Sequence, residues 1–283
     1  MNDLLQLVQE RMRTFCNIER FVVAYSGGMD SHVLLHILAS IQDKLPGKIV
    51  AWHINHGLQE QAMQFQQACE GVCRSLDIEF EVFALDISKS VIAKKGMEAA
   101  ARASRYQVFK RELRASDLLL LAHHQDDQVE TFFLRLLRGS GVRGLSAMPQ
   151  ERILGKGKLH RPLLSATRDS IEQYARKYHL EWVDDLTNQD IAIDRNYLRH
   201  EIIPRLKHKW PGVATRVTTS AAICTATDGE LQQQMLDILP IYLQGKQLSV
   251  RQLNDLSPVK ISYLIRVWLE SLDLPLPSYK QMH

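Results

Sequence analysis

Two short stretches hold the residues able to do chemistry. The first is Ser26-Gly27-Gly28-Met29-Asp30-Ser31, which follows the apolar run Phe21-Val22-Val23-Ala24 and leads into Val33, Leu34, Leu35, Ile37 and Leu38. Small side chains let backbone N–H groups close around an anion, and a helix starting at the same point adds the positive end of its dipole. This is the make-up of a nucleotide-phosphate loop. The Gly-Lys-Ser/Thr of a Walker A loop is absent, as is G-x-G-x-x-G. A loop that lacks the P-loop lysine but carries Asp30 suits pyrophosphate, with a carboxylate near the metal. A lone S-G-G would favour an ordinary strand-to-helix turn; the full Ser-Gly-Gly-x-Asp-Ser after an apolar strand favours the phosphate site.

The second stretch is His123-His124-Gln125-Asp126-Asp127-Gln128-Val129-Glu130, with five ionisable groups in one strand-to-helix turn. With Asp126 as the helix cap, Asp127 and Glu130 stand three apart on one face. Two carboxylates facing a phosphate loop can bind a cation, either Mg²⁺ or a substrate ammonium. Acidic residues in a first helical turn need no function to explain them, but two histidines beside three acids exceed what capping requires. Zinc is the weaker reading, since the spacing is not a recognised ligand set and the thiols lie elsewhere.

The elements that must position these residues alternate. A short amphipathic helix over 3–16 precedes the first strand, and the helix after the phosphate loop runs to Ser40. Lys48 to Ile54 reads as a second buried strand ending at Asn55-His56-Gly57. A helix over 59–76, a strand over Glu79–Ala84, a helix over 97–113 and an apolar strand over 117–122 follow. Strands alternating with helices predict an α/β fold, a parallel sheet with helices on both faces. Ligands sit at the carboxyl ends of such strands, where Ser26–Ser31, Asn55–Gly57 and His123–Asp127 all fall. Past Trp210-Pro211-Gly212 the pattern turns to helices alone: one over 213–239 ending at Pro240, another over 258–272, and a short strand or turn over 248–253. The division reads as a catalytic domain over 1–210 and a small helical domain over 211–283.

The S-G-G-x-D-S loop resembles that of the PP-loop, or N-type ATP pyrophosphatase, family, whose fold is adenine-nucleotide-hydrolase-like and Rossmann-related. His123-His124-x-Asp126-Asp127-x-x-Glu130-Thr131 resembles the H-H-x-D-D-x-x-E-T motif of one branch, the tRNA(Ile)-lysidine synthetases. Three further segments agree in order. Gly96-x-Glu98-x-x-Ala101-Arg102-x-x-Arg105-Tyr106 is similar to that branch's helix, and Arg138-Gly139-Ser140-Gly141-x-x-Gly144-Leu145 to its glycine loop. Asp185-Leu186-Thr187-Asn188 with Arg195-Asn196-x-x-Arg199 and Pro204 is similar to its third segment. The resemblance covers about residues 21 to 204.

It implies ATP and Mg²⁺ as cofactors, with Ser26, Gly27, Gly28, Met29, Asp30 and Ser31 holding ATP and Asp30 near the metal. It implies lysine bound by Asp127 and Glu130, phosphate or tRNA contacts from Arg102, Arg105, Arg195 and Arg199, and catalytic roles for Asp30, Asp127 and Arg195. The substrate implied is an isoleucine tRNA with a CAU anticodon, whose first cytidine is adenylated at O2 and then takes up lysine at C2. Each arginine pair has a plain alternative in a solvated helix face, and Gly139–Gly144 in a flexible connection or a lid. The basic run Arg195, Arg199, Arg205, Lys207, Lys209 with Trp210 suits a solvated helix end or an RNA backbone with a stacked base.

Bulk properties narrow the setting. The chain has 283 residues, 45% hydrophobic and 24% charged, with a net charge of +3. A charge of that size permits a polyanionic partner without demanding one. Four cysteines in no paired framework fit reduced thiols in a cytoplasmic protein. Cys69 and Cys73, four apart on an apolar helical face, read as core rather than as the cluster ligands a thiolase of this fold would need. No apolar run reaches membrane-spanning length, so no membrane partner is expected. The reading leaves room for a homodimer, and the sequence is expected to stop short of the further C-terminal tRNA-binding domain that some lysidine synthetases carry.

Overall fold

A computed structural model of the chain describes residues 4–55, 62–85, 97–183, 189–272, 274 and 276–277. Contacts divide the chain into two compact units, Met1–Gln128 with Pro149–His200 and Val129–Met148 with Glu201–His283. No shift of composition marks the return of the chain from the second unit to the first at Pro149.

In the first unit, α1 (Leu4–Met12), β1 (Arg20–Ala24), α2 (Met29–Ser40), β2 (Lys48–Asn55), α3 (Ala62–Ser75), β3 (Glu79–Ala84), α4 (Met97–Glu112) and β4 (Asp117–Leu120) follow the expected alternation. The first turns of α5 (Gln125–Leu137) come next, then β5 (Glu151–Leu154), β6 (Gly157–His160) and α7 (Arg168–Lys177). The six strands run in the order β3-β2-β1-β4-β6-β5. All pairings are parallel except that of β5 with β6, so the expected parallel sheet carries one antiparallel edge. Its switch of strand order lies between β1 and β4, where α/β sheets open a cleft.

Side chains of the inner strands alternate between two buried clusters, which is why these strands read as unbroken apolar runs. Phe21, Val23, Ile49, Ala51, Leu118 and Leu120 join α1, α2, α3 and α7 on one face. Val22, Val50, Trp52, Leu119 and Leu159 meet Val108 and Phe109 of α4 on the other. At the lower end, Arg20 and Asp117, register partners in β1 and β4, form a bidentate pair at 2.8 and 2.6 Å. Asp117 has no exposed surface and also accepts from the Arg114 amide at 2.8 Å.

The β5–β6 hairpin was not foreseen. Its turn needs Gly155, whose φ is +61° and whose Cβ would stand 2.4 Å from the Lys110 carbonyl of α4. His160 at the end of β6 is 4% exposed, and neither ring nitrogen has a hydrogen-bond partner; Phe15 packs edge-on at 4.9 Å. Burial, with Arg11 and Arg161 nearby, pushes its pKa down to about 4, and the Glu151 carboxylate 3.8 Å away does not offset this. The unfolded chain therefore takes up a proton on this ring near pH 6.5, whereas the folded chain refuses it until about pH 4. Stability is expected to fall as pH drops through that window, by roughly 3 kcal/mol for this group. Melting temperatures from pH 7 to 4 should decline less steeply in His160→Phe than in the parent protein; equal slopes would refute the assignment.

The second unit holds α6 (Val142–Leu145), α9 (Ile203–Lys209), α10 (Val213–Tyr242), α11 (Val250–Leu253) and α12 (Pro258–Ser271), of which α10 and α12 are the helices expected over 213–239 and 258–272. Met235, Leu239, Leu253, Leu264 and Val267 make its core. The helix α10 continues through Pro240 to Tyr242, since packing of Leu239 and Tyr242 outweighs the lost N–H in the last turn. The strand or turn expected over 248–253 is a two-strand hairpin, Leu243–Gln244 with Gln247–Leu248, and then α11. Among the described residues, no helix is long and apolar enough to cross a membrane.

Candidate active site

The chain leaves β1 at Ala24 and turns sharply through Ser26, Gly27 and Gly28 into α2. Gly27 has φ +84°, and a Cβ there would lie 2.8 Å from the Cys69 Sγ, so both conformation and space demand glycine. The loop is fastened internally: Ser31 Oγ donates to the Gly28 carbonyl at 2.9 Å and lies 3.1 Å from Ser26 Oγ. No side chain caps α2. By helix geometry the amides of Met29, Asp30 and Ser31 have no carbonyl one turn earlier in the helix, which leaves them to an anion. From behind, the Gly27 carbonyl accepts from the Val183 amide at 3.2 Å, and His32 Nδ1 lies 2.7 Å from the Glu181 carbonyl.

The acidic turn after β4 differs from expectation in its cap. The helix α5 starts at Gln125, so His124, not Asp126, stands at the cap position. The Asp126 amide donates to His124 Nδ1 at 3.2 Å, and Asp127 Oδ2 accepts from the His124 amide at 2.9 Å. This is a capping box built with an imidazole. Because Nδ1 accepts, the ring proton is on Nε2, which lies 3.6 Å from both Asp30 Oδ2 and Asp127 Oδ2. Burial opposes a second proton on this ring, yet Asp127, Asp30 and Asp126 outweigh it and raise its pKa. One buried histidine thus joins the phosphate loop to the acidic turn.

Asp127 is a hub. Its Oδ1 accepts from Arg195 at 2.8 Å and from Arg199 at 3.4 Å. Burial would raise its pKa, but His124, His123, Arg195 and the His124 amide hold it well below the carboxylate range. Arg195, in α8 (Asp194–Tyr197), and Arg199, in the π-helical turn Leu198–Ile202, therefore turn inward and do not form a solvated helix end. Any cation approaching Asp127 meets a carboxylate already held by these arginines. Glu130 lies one turn further along α5 and is 1% exposed.

His123 is half-buried; burial, with Arg161, Arg195 and Arg102 around it, pushes its pKa down to about 3 despite Asp127. Arg161 Nε donates to its Nδ1 at 3.3 Å. Arg102 and Arg105 are half-buried on α4, and Arg102 sits over the Tyr106 ring, so they are no freely solvated face. The Gly139–Gly144 stretch ends in the helical turn α6, where Arg135 donates to the carbonyls of Gly144 and Ala147 at 2.7 and 2.6 Å. Trp210, from the basic run, is 48% exposed with Lys209 Nζ 5.8 Å above its ring.

The structure brings together Ser26–Ser31, His124, Asp127, Arg195 and Arg199. Gly96, His56-Gly57 and Asp185-Leu186-Thr187-Asn188 lie outside the described residues, as does the Glu98 side chain. Arg161 was missed, because a lone arginine after an unrecognised strand carries no signal.

The donors offer Mg²⁺ a place. Asp30 Oδ1 is buried without a hydrogen-bond partner, the mark of an acceptor meant for a cation. No group of three or more His, Cys, Asp or Glu side chains among the described residues could hold a metal on its own. A single carboxylate such as Asp30 is the kind of donor through which Mg²⁺ is held together with substrate phosphates. Cys69 and Cys73 are buried, and burial pushes their thiols up to about 11 and about 12, as inert core residues should be.

A family model described as a PP-loop domain matches residues 2–206, and one described as the TilS substrate binding domain matches residues 248–283. A tRNA(Ile)-lysidine synthase of Coxiella burnetii is 40% identical over 269 residues, covering 95% of this chain and 60% of that protein. The tRNA(Ile)-lysidine synthase of Histophilus somni strain 129Pt is 37% identical over 288 residues, covering 99% of this chain and 65% of that protein. The chain thus spans 60 to 65% of the length of these curated relatives. Among solved structures, the U34-tRNA thiolase NcsA from Methanococcus maripaludis with its 4Fe-4S cluster aligns with a TM-score of 0.63. It covers 77% of this chain and 78% of that one at 17% identity, a likeness of fold alone.

Proposed function

This chain belongs to the PP-loop family, and from that premise we propose that it ligates lysine to C2 of the first anticodon cytidine of an isoleucine tRNA, with ATP as the activating co-substrate. The names of the relatives support this reading. The observation that carries it is the meeting at His124 Nε2, 3.6 Å from Asp30 in the phosphate loop and 3.6 Å from Asp127 in the acidic turn. That contact sets the Ser26–Ser31 loop and the acidic turn side by side.

In the first step, cytidine O2 attacks the α-phosphorus of ATP; an O–P bond forms, the bond to the β-phosphate oxygen breaks, and pyrophosphate leaves. The attacking oxygen carries no proton, so the step needs charge neutralisation more than a base. The amides of Met29, Asp30 and Ser31 hold phosphate oxygens. Asp30 would hold Mg²⁺, which when bound supplies further positive charge to the phosphates. Arg195 and Arg199, fixed by Asp127, contribute charge at a set position, and the His124 ring lies 3.6 Å from the Asp30 carboxylate. In the second step the lysine ε-amine bonds to C2, the C2–O2 bond breaks, AMP departs with O2, and the amine loses a proton. Glu130 is the principal partner for the lysine ammonium groups, with Asp127 sharing the load.

The test is pyrophosphate release from ATP with Mg²⁺ and an isoleucine tRNA transcript, with and without lysine. Release that needs this tRNA, with lysine incorporated into it, is expected; release needing another co-substrate would refute the reaction while keeping the family. Glu130→Gln should raise the lysine concentration for half-maximal incorporation roughly thirtyfold, the ~2 kcal/mol floor for truncating one side of a buried charge pair. Unchanged lysine dependence would remove Glu130 from the lysine site.

A further inference from the structure

Between α4 and the edge hairpin β5–β6 stands a group of cations that the chemistry above does not use. Arg102 of α4 and Arg152 of β5 both lie against the ring of Tyr106, with Cζ 5.5 and 5.1 Å from its centroid. Arg161, 3% exposed, adds its charge to the surroundings of Tyr106. Arg161 is itself fixed by the Pro149 carbonyl at 2.6 Å and by His123. None of Arg102, Arg152 and Arg161 joins an ion pair with a carboxylate among the described residues, although Glu151 is the immediate neighbour of Arg152 and pairs with Lys158. The local field is positive enough that Tyr106 has a lowered pKa: burial opposes ionisation, and Arg102, Arg161, Arg152 and Arg105 outweigh it.

The arrangement is built, because an aromatic face holds two guanidiniums at the cost of their freedom. It is also elongated. From Arg195 and Arg199 at Asp127, the track passes the uncharged His123 ring to Arg161 and the Tyr106 ring, and ends at exposed Arg152 on the outermost strand. The edge strand β5 lies three strand spacings from β1, a lateral offset of about 14 Å. A triphosphate seated in the Ser26–Ser31 loop has its charge at β1. A track that runs on to the sheet edge suits an anion that repeats its phosphates.

We propose that Arg152, presented by the edge strand and held against Tyr106, binds a phosphodiester of the RNA substrate, with Arg102 and Arg161 completing the same subsite. This rests on the tRNA reading above and extends it to a hairpin with no assigned role. The hairpin then has a purpose beyond closing the sheet: it carries the outermost cation of the RNA track.

The test is binding of the isoleucine tRNA transcript to the 283-residue chain over a salt series, in the parent protein, Arg152→Ala and Tyr106→Leu, with the KM for ATP measured alongside. Arg152→Ala should weaken tRNA binding about fivefold near 100 mM salt and reduce the slope of log K against log salt by about 0.7 to 0.9, the value of one phosphate contact. The KM for ATP should stay put. Tyr106→Leu should reproduce most of the loss, and the double variant should lose little more than either single one. A purely structural role would lower the melting temperature without moving the salt slope. Unchanged affinity and slope in Arg152→Ala would overturn the subsite while leaving the lysidine reaction standing; so would a rise in the KM for ATP with tRNA binding intact. A parent protein that binds the transcript with the Arg152-dependent slope, yet forms no lysidine, would keep the subsite and sink the reaction. A parent protein that binds no tRNA would sink both.

Discussion

Asp30→Asn is expected to lower tRNA-dependent pyrophosphate release by a factor of about 10² to 10³, the scale on which loss of one preorganised electrostatic contact is felt. The substitution keeps the shape of the side chain and removes its charge. Asp30 Oδ1 is buried with no hydrogen-bond partner, and Oδ2 lies 3.6 Å from the His124 ring, so the folded protein gains little from the carboxylate. The melting temperature should therefore hold or rise while activity falls. Higher Mg²⁺ should recover part of the rate, since a weakened ligand set is refilled by mass action. An asparagine variant with the parent rate would remove Asp30 from the reaction.

The largest effect on stability is expected far from this cleft. Asp117→Ala leaves Arg20 buried at 7% exposure without its bidentate partner, and the Arg114 amide without its acceptor. Breaking a buried pair from one side costs about 3–5 kcal/mol, against a total of about 5–15 for a protein of ordinary stability. Glu81 reaches Arg20 only at 3.5 Å and relieves little of this. Replacing both partners with apolar residues, Arg20→Met with Asp117→Leu, should recover most of the loss, because the main cost is the stranded charge. Denaturant unfolding of the single and double variants decides it: a double variant no more stable than the single one would show that the pair itself, and not the orphaned guanidinium, sets the penalty.

Much of the fold was legible because its signals are local. The apolar run Phe21–Ala24 of β1 and the alternation in Glu79–Ala84 are period and composition, readable without knowing what packs where. The strand, tight turn and helix around Ser26–Ser31 were legible for the same reason: small residues, strand before, helix after. What escaped depends on contacts distant in sequence. Arg195 and Arg199 reach Asp127 from 68 and 72 residues away, and no spacing announces that pairing. The β5–β6 hairpin turns on Gly155 fitting against Lys110 in another element, so its register could not be read from Glu151–His160 alone. His124 as cap was hidden by the preference of aspartate for that position; here the imidazole does the capping and the aspartate answers it from inside the helix.

The bracing of the phosphate loop has a consequence for the timing of nucleotide entry. With Gly27 tied to Val183 through its carbonyl, Cys69 filling the space behind it, and Ser31 closing back on Gly28, the loop is already in shape before a triphosphate arrives. A loop of this kind gives up little freedom if it is filled, so on the proposed function the arrival of ATP is expected to be governed by encounter and charge, not by a slow rearrangement of the backbone. If the proposed reaction holds, its slow step is expected in the placing of the RNA at the proposed arginine subsite and not in the entry of the nucleotide.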